Sequence, residues 1–388
     1  MPHPLRGTTA ICGLGLTEMG PVYGRSATDL ATEAIMLALE DAGMQKQELD
    51  GLLINSGVGG GLDLSLASAA GLGELGLLNH MNSWGSTAGV MVEFAAMAVH
   101  HGIANTVACV FADAPLKQGK SSGSVYGSPR SRRAGMSTLN GAYGNFGPIP
   151  WYAMAAQRHM DLFGTTQDQL GAIAVSTRNW ARRSPHATLR KELDLEGYHA
   201  SRWIMEPFHV LDCCLVSNGG VAVIVTRADR ARNLAQPPAY IHGMGQAHNI
   251  DPAGLTDSAV HTPAKRGGET AYRMAGATPR DVTCAELYDC YSYTVLASLE
   301  DYGFCEKGEG GPFVADGKIE PGGELPTNTG GGQLSGYYMW GMTPISEAVI
   351  QVRGQGGERQ APNDLVLVSG NGGLFSHNAT LLLSPHAA

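Results

Sequence analysis

Charge is scarce in this 388-residue chain: only 16% of residues are Asp, Glu, Lys or Arg, and the balance is acidic, with a net charge of −9. With no long Lys/Arg run, the chain lacks the concentrated positive surface that nucleic acid or an anionic membrane requires, so neither is expected as a partner. No stretch reaches the roughly 18 consecutive apolar residues of a membrane span, and the Met1-Pro-His-Pro-Leu-Arg6 start has no signal-peptide core. A cytoplasmic location is the expectation. The seven cysteines (Cys12, Cys109, Cys213, Cys214, Cys284, Cys290, Cys305) include no CxxC pair. An odd count fits reduced thiols, mostly small buried hydrophobes in strand-like runs, and no metal site is visible.

What is abundant is apolar surface and glycine. Apolar residues make up 43% of the chain, enough for a large core, and 53 glycines fall in short clusters between apolar runs, where they read as tight loops. Length alone suggests two or three domain-sized units. Helical spacing of apolar residues from Asp29 to Ala42 ends at Gly43; strand-like runs cover Leu49–Asn55 and Thr106–Ala112; a nearly all-apolar helix spans Val90 to Val99. This alternation predicts an α/β fold of parallel sheets covered by helices.

The same order returns after Pro237-Pro238. Ala239-Tyr-Ile-His-Gly repeats the opening strand and turn, a helix ending at Ala275-Gly276 mirrors the one ending at Ala42-Gly43, the helix Ile345–Val352 echoes Val90–Val99, and the strand Asp364–Ser369 answers Thr106–Ala112. A whole α/β unit is duplicated. The expected division is an N-terminal half from 1–112 and 211–232, an insertion at 113–210, and a C-terminal half at 233–388. The insertion is Gly/Ser/Arg-rich, then helical around Pro150–Phe163 and Leu170–Arg183, as a lid or binding loop would be.

Tyr288-Asp-Cys-Tyr291, Leu299-Glu-Asp-Tyr-Gly-Phe-Cys-Glu-Lys-Gly308, Leu325-Pro-Thr-Asn-Thr-Gly-Gly-Gly332 and Gly370-Asn-Gly-Gly-Leu-Phe-Ser-His-Asn-Ala379 carry a resemblance that spans nearly the whole chain. On these stretches the chain resembles the thiolase superfamily, specifically its sterol-carrier or lipid-transfer-protein branch. The resemblance implies a thiolase-like fold: two βαβαβ-type halves forming an αβαβα layered structure, with a loop insertion. It also implies a homodimer paired through Thr106–Ala112.

The reactive residues of that family are missing. Its nucleophilic cysteine belongs within Asn82-Ser-Trp-Gly-Ser-Thr-Ala88, which has none, and its second cysteine belongs near Ser369 or Gly370. Ser86 can replace the nucleophile only with an adjacent base; a Gly/Ser turn capping the helix is the favoured alternative. The family's Gly-His-Pro loop maps onto Tyr337-Tyr-Met339, which puts Tyr338 at its histidine, and its Asn/His position maps onto Tyr288. Two phenols can hold the thioester oxygen and also move protons; each alone can equally be a hydrogen-bonded core aromatic. Tyr293 is a weaker candidate because it points away from Tyr288, and His377 is either a base or a structural donor. Cys290 reads as packing. Arg130, Arg132 and Arg133 either meet the phosphates of coenzyme A or form a solvated basic face, and Gly57-Val-Gly-Gly-Gly-Leu62 reads as a simple loop.

Donors without a sulfur nucleophile leave aldol chemistry. The resemblance to steroid side-chain aldolases implies a retro-aldolase that cleaves the Cα–Cβ bond of a β-hydroxyacyl-CoA to a ketone or aldehyde plus a short acyl-CoA. Tyr288 and Tyr338 would be base and acid in an order the sequence leaves open. No tightly bound cofactor is expected, CoA being part of the substrate; an accessory protein bearing a zinc ribbon and an OB fold is the implied partner. The alternatives are a thiolase-type acyltransferase acting through Ser86 and a non-catalytic binder of lipids or acyl-CoA.

Overall fold

The computed structural model describes residues 3–126, 142, 147–249 and 260–388. Nine strands form one mixed sheet: β1 (Thr9–Leu16), β2 (Gly51–Ser56), β3 (Leu77–His80), β4 (Thr106–Asp113), β5 (Gly219–Arg227), β6 (Ala239–His248), β7 (Cys284–Glu286), β8 (Val366–Gly372) and β9 (His377–Ser384), in the order β3-β2-β4-β5-β1-β6-β9-β8-β7. The two halves of that order are the same motif: β2-β4-β5-β1 on one side, β7-β8-β9-β6 on the other. They join at a short antiparallel contact, Ala10 opposite Tyr240 and Ile11 opposite Ala239.

The sheet is not parallel, as the alternating pattern suggests. Only β2–β3, β2–β4 and β7–β8 run parallel; β4–β5, β5–β1, β1–β6, β6–β9 and β9–β8 are antiparallel. The cause is how β5 and β9 arrive. β9 follows β8 through the turn Gly373–Ser376, too short for a crossover, and β5 returns from the insertion instead of from a helix packed on the sheet. β4 is correspondingly an interior strand with β2 and β5 on its two sides, so the expected dimer edge at Thr106–Ala112 is corrected: the open edge of this half is β3.

Helices α1 (Ala27–Ala42) and α2 (Thr87–His100) in the first half correspond to Ala264–Ala275 and Met342–Val352 in the second. The copies agree in detail. Gly43 (φ +68°) and Gly276 (φ +65°) both end their helices in the left-handed conformation, where a Cβ is disfavoured, and each is followed by a single 3₁₀ turn, Lys46–Glu48 and Pro279–Asp281. Ser26 starts α1 with a capping box, its hydroxyl accepting from Asp29 N. Helices α1 and Ala264–Ala275 cover the outside, whereas α2 and Met342–Val352 lie between the halves and contact strands of both. Every residue of Met342–Val352 is buried, and α2 is buried over most of its length. Met342–Val352 has no solvated face: its Thr343, Ser346, Glu347 and Gln351 are buried together with its apolar residues.

From the insertion, helices α3 (Ile149–Phe163) and α4 (Gln167–Ala181) pack over the C-terminal half; α5, α6 and α7 are Ala264–Ala275, Ser292–Asp301 and Met342–Val352 in chain order. Arg178 Nε donates to Ser335 Oγ (3.0 Å) and Trp180 Nε1 to Ile319 O (3.0 Å), so α4 is fastened to the loops that follow β7. Arg130, Arg132 and Arg133 lie outside the described residues. No helix among the described residues is long and apolar enough to cross a membrane.

Candidate active site

The loop after β7 carries Tyr288, and the loop before α7 carries Tyr338. Two buried carboxyl groups join these loops. Glu286 Oε1 accepts from Thr329 N (3.1 Å) and Thr329 Oγ1 (2.7 Å), while Asp289 accepts from Gln333 N (2.8 Å) and Leu334 N (3.3 Å). Asn328 Oδ1 takes Leu287 N at 2.7 Å, and Gln333 Nε2 donates to Trp340 O at 2.9 Å. Glycine is required within this lattice: a Cβ on Gly332, whose φ is +53°, would sit 2.0 Å from Asp289 Oδ2. Burial pushes Asp289 up to about 7, and burial together with neighbouring Glu347 pushes Glu286 well above the carboxylate range. A protonated Glu286 also suits its place beside Glu347, which is paired with Arg359 at 2.8 Å.

This frame brings the hydroxyl oxygens of Tyr288 and Tyr338 to 3.3 Å. Tyr288 is 4% exposed and Tyr338 half-buried. Thr294 Oγ1 donates to Tyr288 O (2.9 Å), and Tyr338 N donates to Ser217 Oγ (3.1 Å), so each backbone is held from a different element. Burial raises the Tyr288 phenol well above its ordinary value, which keeps it protonated at neutral pH.

The turn before α2 closes against this pair. A Cβ on Gly85 would be 2.3 Å from Tyr288 Cζ and 2.3 Å from Asn371 O; one on Gly341 would be 2.4 Å from Gly85 O; one on Gly370 would be 2.9 Å from Ser86 Cα. Ser86 is fully buried, and its hydroxyl donates to Ser83 O at 2.7 Å. The capping expectation is therefore corrected, because the side chain makes no cap bond to α2 and instead closes the Ser83–Ser86 turn. No base accepts its proton; the acceptor is a backbone carbonyl.

The other candidates lie apart from the pair. Tyr293 is fully buried on α6, its ring edge-on to His159 (5.6 Å) and Phe375 (6.0 Å). His377 begins β9 and its Nδ1 lies 2.9 Å from His248 Nδ1, a bond that needs one of the two rings to accept. Burial, with His248 beside it, lowers the His377 pKa. Cys290 is buried, with a thiol pushed up to about 12 by burial and a Tyr152 hydroxyl hydrogen-bonded to it. All seven thiols are pushed upward by burial, so none is poised to attack.

Two features of the site escaped the sequence. Tyr152, from α3, reaches it from the insertion: Asn371 Nδ2 donates to its hydroxyl (3.2 Å), and its ring packs on Tyr291 at 4.7 Å. The second is a pair of tryptophans. Trp84-Gly-Ser-Thr87 and Trp340-Gly-Met-Thr343 precede α2 and α7, the matching helices of the duplication, and this repeated Trp-Gly-x-Thr was a visible signal. Thr87 Oγ1 accepts from Ser83 N, and Thr343 Oγ1 from Met339 N, at 2.7 and 2.9 Å. Trp84, Asn328, Trp340, Leu374 and Phe375 are the non-glycine residues with positive φ among the described residues, and all five stand in the loops around Tyr288 and Tyr338. Strain of this kind collects at functional sites.

The thiolase C-terminal domain-like family matches residues 245–385. Over 383 residues the chain is 38% identical to a steroid side-chain-cleaving aldolase of Thermomonospora curvata, covering 95% of this chain and 96% of that one. It is 37% identical over 385 residues to the 17-hydroxy-3-oxo-4-pregnene-20-carboxyl-CoA lyase of Mycobacterium tuberculosis, covering 95% and 98%. Among solved structures, the Ltp2-ChsH2(DUF35) aldolase matches with a TM-score of 0.87 and 36% identity over 98% of each chain. With its duplicated halves, its cysteine-free turn and these relatives, the chain belongs to the thiolase superfamily, in the branch of the steroid side-chain-cleaving aldolases.

Proposed function

We propose that this protein is a retro-aldolase that breaks the Cα–Cβ bond of a β-hydroxyacyl-CoA carrying a steroid side chain, releasing a ketone or aldehyde and a short acyl-CoA. The observation that carries this reading is the Tyr288–Tyr338 hydroxyl contact at 3.3 Å beside a turn without a cysteine. A thioester carbonyl stabilises negative charge on its α-carbon when fixed donors meet the enolate oxygen. One phenol donates to that oxygen; the other, acting as its phenolate, takes the proton of the β-hydroxyl as the Cα–Cβ bond breaks and its electron pair passes into the enolate, and it then returns that proton to the α-carbon. The upward shift of Tyr288 supports giving it the donor role, which leaves Tyr338 as acceptor.

The names of the relatives support a carbon–carbon lyase and a CoA thioester as substrate. The pairing in the solved aldolase's name supports a DUF35-type accessory partner. We assign the halves as 1–112 with 211–232 and 233–388, and 113–210 as a lid, a division supported by Tyr152 of α3 and Arg178 of α4 meeting the site's loops. A second copy would pair on β3, where Leu78 is 38% exposed on the open edge. Incubation of the protein with a steroid β-hydroxyacyl-CoA, with and without the accessory partner, tests the reading by mass analysis of products. A ketone or aldehyde with a matching short acyl-CoA is expected; intact substrate under both conditions overturns it.

A further inference from the structure

Two hydroxyls can select for a thioester with a β-hydroxyl, but they cannot select for a bulky fused ring. Something apolar beside them must do so. Trp84 is the large side chain placed for it: the indole is 55% exposed although the next residue, Gly85, lies against the Tyr288 ring. Beside the reacting hydroxyls, an exposed indole offers a large, rigid apolar surface to whatever binds there.

Its main chain is held from several directions by the protein. Trp84 takes a φ of +55°, which a bulky residue rarely adopts. The main chain is pinned by Trp84 N donating to Asn82 Oδ1 (2.9 Å) and by Thr87 Oγ1 donating to Trp84 O (2.6 Å). A Cβ on Gly372 would fall 2.9 Å from the Trp84 Cβ, so the β8–β9 turn backs it on another side. Trp340 stands 6.3 Å away and rests in turn on Phe111 at 5.4 Å, an aromatic file that prevents the indole from folding inward. Leu374, two residues beyond Gly372 in the same turn, is 39% exposed and also at positive φ.

We propose that Trp84 is the specificity-determining wall of the site, packing its indole against the fused apolar rings of the acyl group while the Tyr288–Tyr338 pair holds the reacting end. This rests on the retro-aldolase reading and deepens it. Substrates without rings gain nothing from the wall, so its loss is felt selectively.

The test compares a steroid β-hydroxyacyl-CoA with β-hydroxybutyryl-CoA on the full chain with its accessory partner. Trp84→Ala is expected to lower the preference for the steroid substrate ~10-fold or more, through KM, with Trp84→Phe keeping most of it. A steroid acyl-CoA lacking the β-hydroxyl is expected to quench tryptophan fluorescence in the wild type and far less in Trp84→Ala. An unchanged preference, an equal loss on both substrates, or a changed assembly mass with preference intact overturns the proposal. The fluorescence arm needs no turnover: if the wild type cleaves neither substrate, the retro-aldolase reading falls while quenching still decides the role of Trp84, its absence in the wild type counting against it.

Discussion

Gly85 lies so close to Tyr288 that a single added carbon would overlap the phenol ring, with Cβ to Cζ at 2.3 Å. The turn that holds a nucleophile in other thiolases here forms the back wall of a tyrosine. Gly85→Ala is therefore expected to displace Tyr288, destabilise the fold by about 1–3 kcal/mol through overpacking and cut cleavage at least tenfold. Denaturant midpoint and steady-state rate check both parts, and a fully active, fully stable variant would show that the ring position is unimportant.

Ser86 separates the aldolase from an acyl-transfer mechanism. Its hydroxyl closes a turn by donating to Ser83 O, so Ser86→Ala should keep cleavage within about threefold and cost about 0.5–1.5 kcal/mol of stability. Intact-mass analysis of the wild type during turnover should show no acyl adduct; loss of activity in the variant together with an adduct on Ser86 would restore the acyltransferase.

The duplication and both tyrosines are legible because the glycine-rich loops that hold them need glycine at contacts that leave no room for a Cβ, and such clusters stand out in the sequence. Gly332 against Asp289 and Gly85 against Tyr288 are such contacts. Strand direction is less visible. β5 and β2 are both short apolar runs, and only the route of the chain before them decides that one is antiparallel and the other parallel to β4. The same holds for the edge, since the mostly exposed β3 is too short and polar to stand out beside β4. Tyr152 reaches the site only because α3 folds back over it, and no local pattern announces a contact across more than two hundred residues.

Glu93 links stability to pH. It sits fully enclosed on α2, its Oε2 accepting from Gln246 Nε2 (2.7 Å), and burial pushes it up to about 8. An acid raised in the folded state binds its proton there after the unfolded chain has released it, so stability falls as pH rises from the ordinary value near 4.5 towards 8. The slope is at most about 1.4 kcal/mol per pH unit. Glu93→Gln should flatten it, gaining on the wild type at pH 8 relative to pH 5; parallel melting curves at the two pH values would contradict this.

Glu300 behaves in the opposite sense. Burial works to raise its carboxyl, but hydrogen bonds from His159 and the Lys307 ammonium outweigh it and leave the group below its ordinary value. Its stabilisation is present above the unfolded pKa near 4.5 and is lost as pH falls through the lower folded value. Because this cluster ties α3 to α6, Glu300→Ala should cost about 3–5 kcal/mol at neutral pH and less at low pH. Urea unfolding at both pH values measures the difference, and a variant as stable as the wild type at pH 7 would count against it.

The most direct measurement is single-turnover cleavage of a steroid β-hydroxyacyl-CoA by the wild type, Tyr288→Phe and Tyr338→Phe, with melting temperature followed in parallel. Each substitution removes one hydroxyl of the 3.3 Å pair and leaves its ring in place. Paired phenols acting as acid and base predict a loss of at least about 100-fold in each variant with melting close to the wild type. Cleavage at the wild-type rate in both variants would contradict the account.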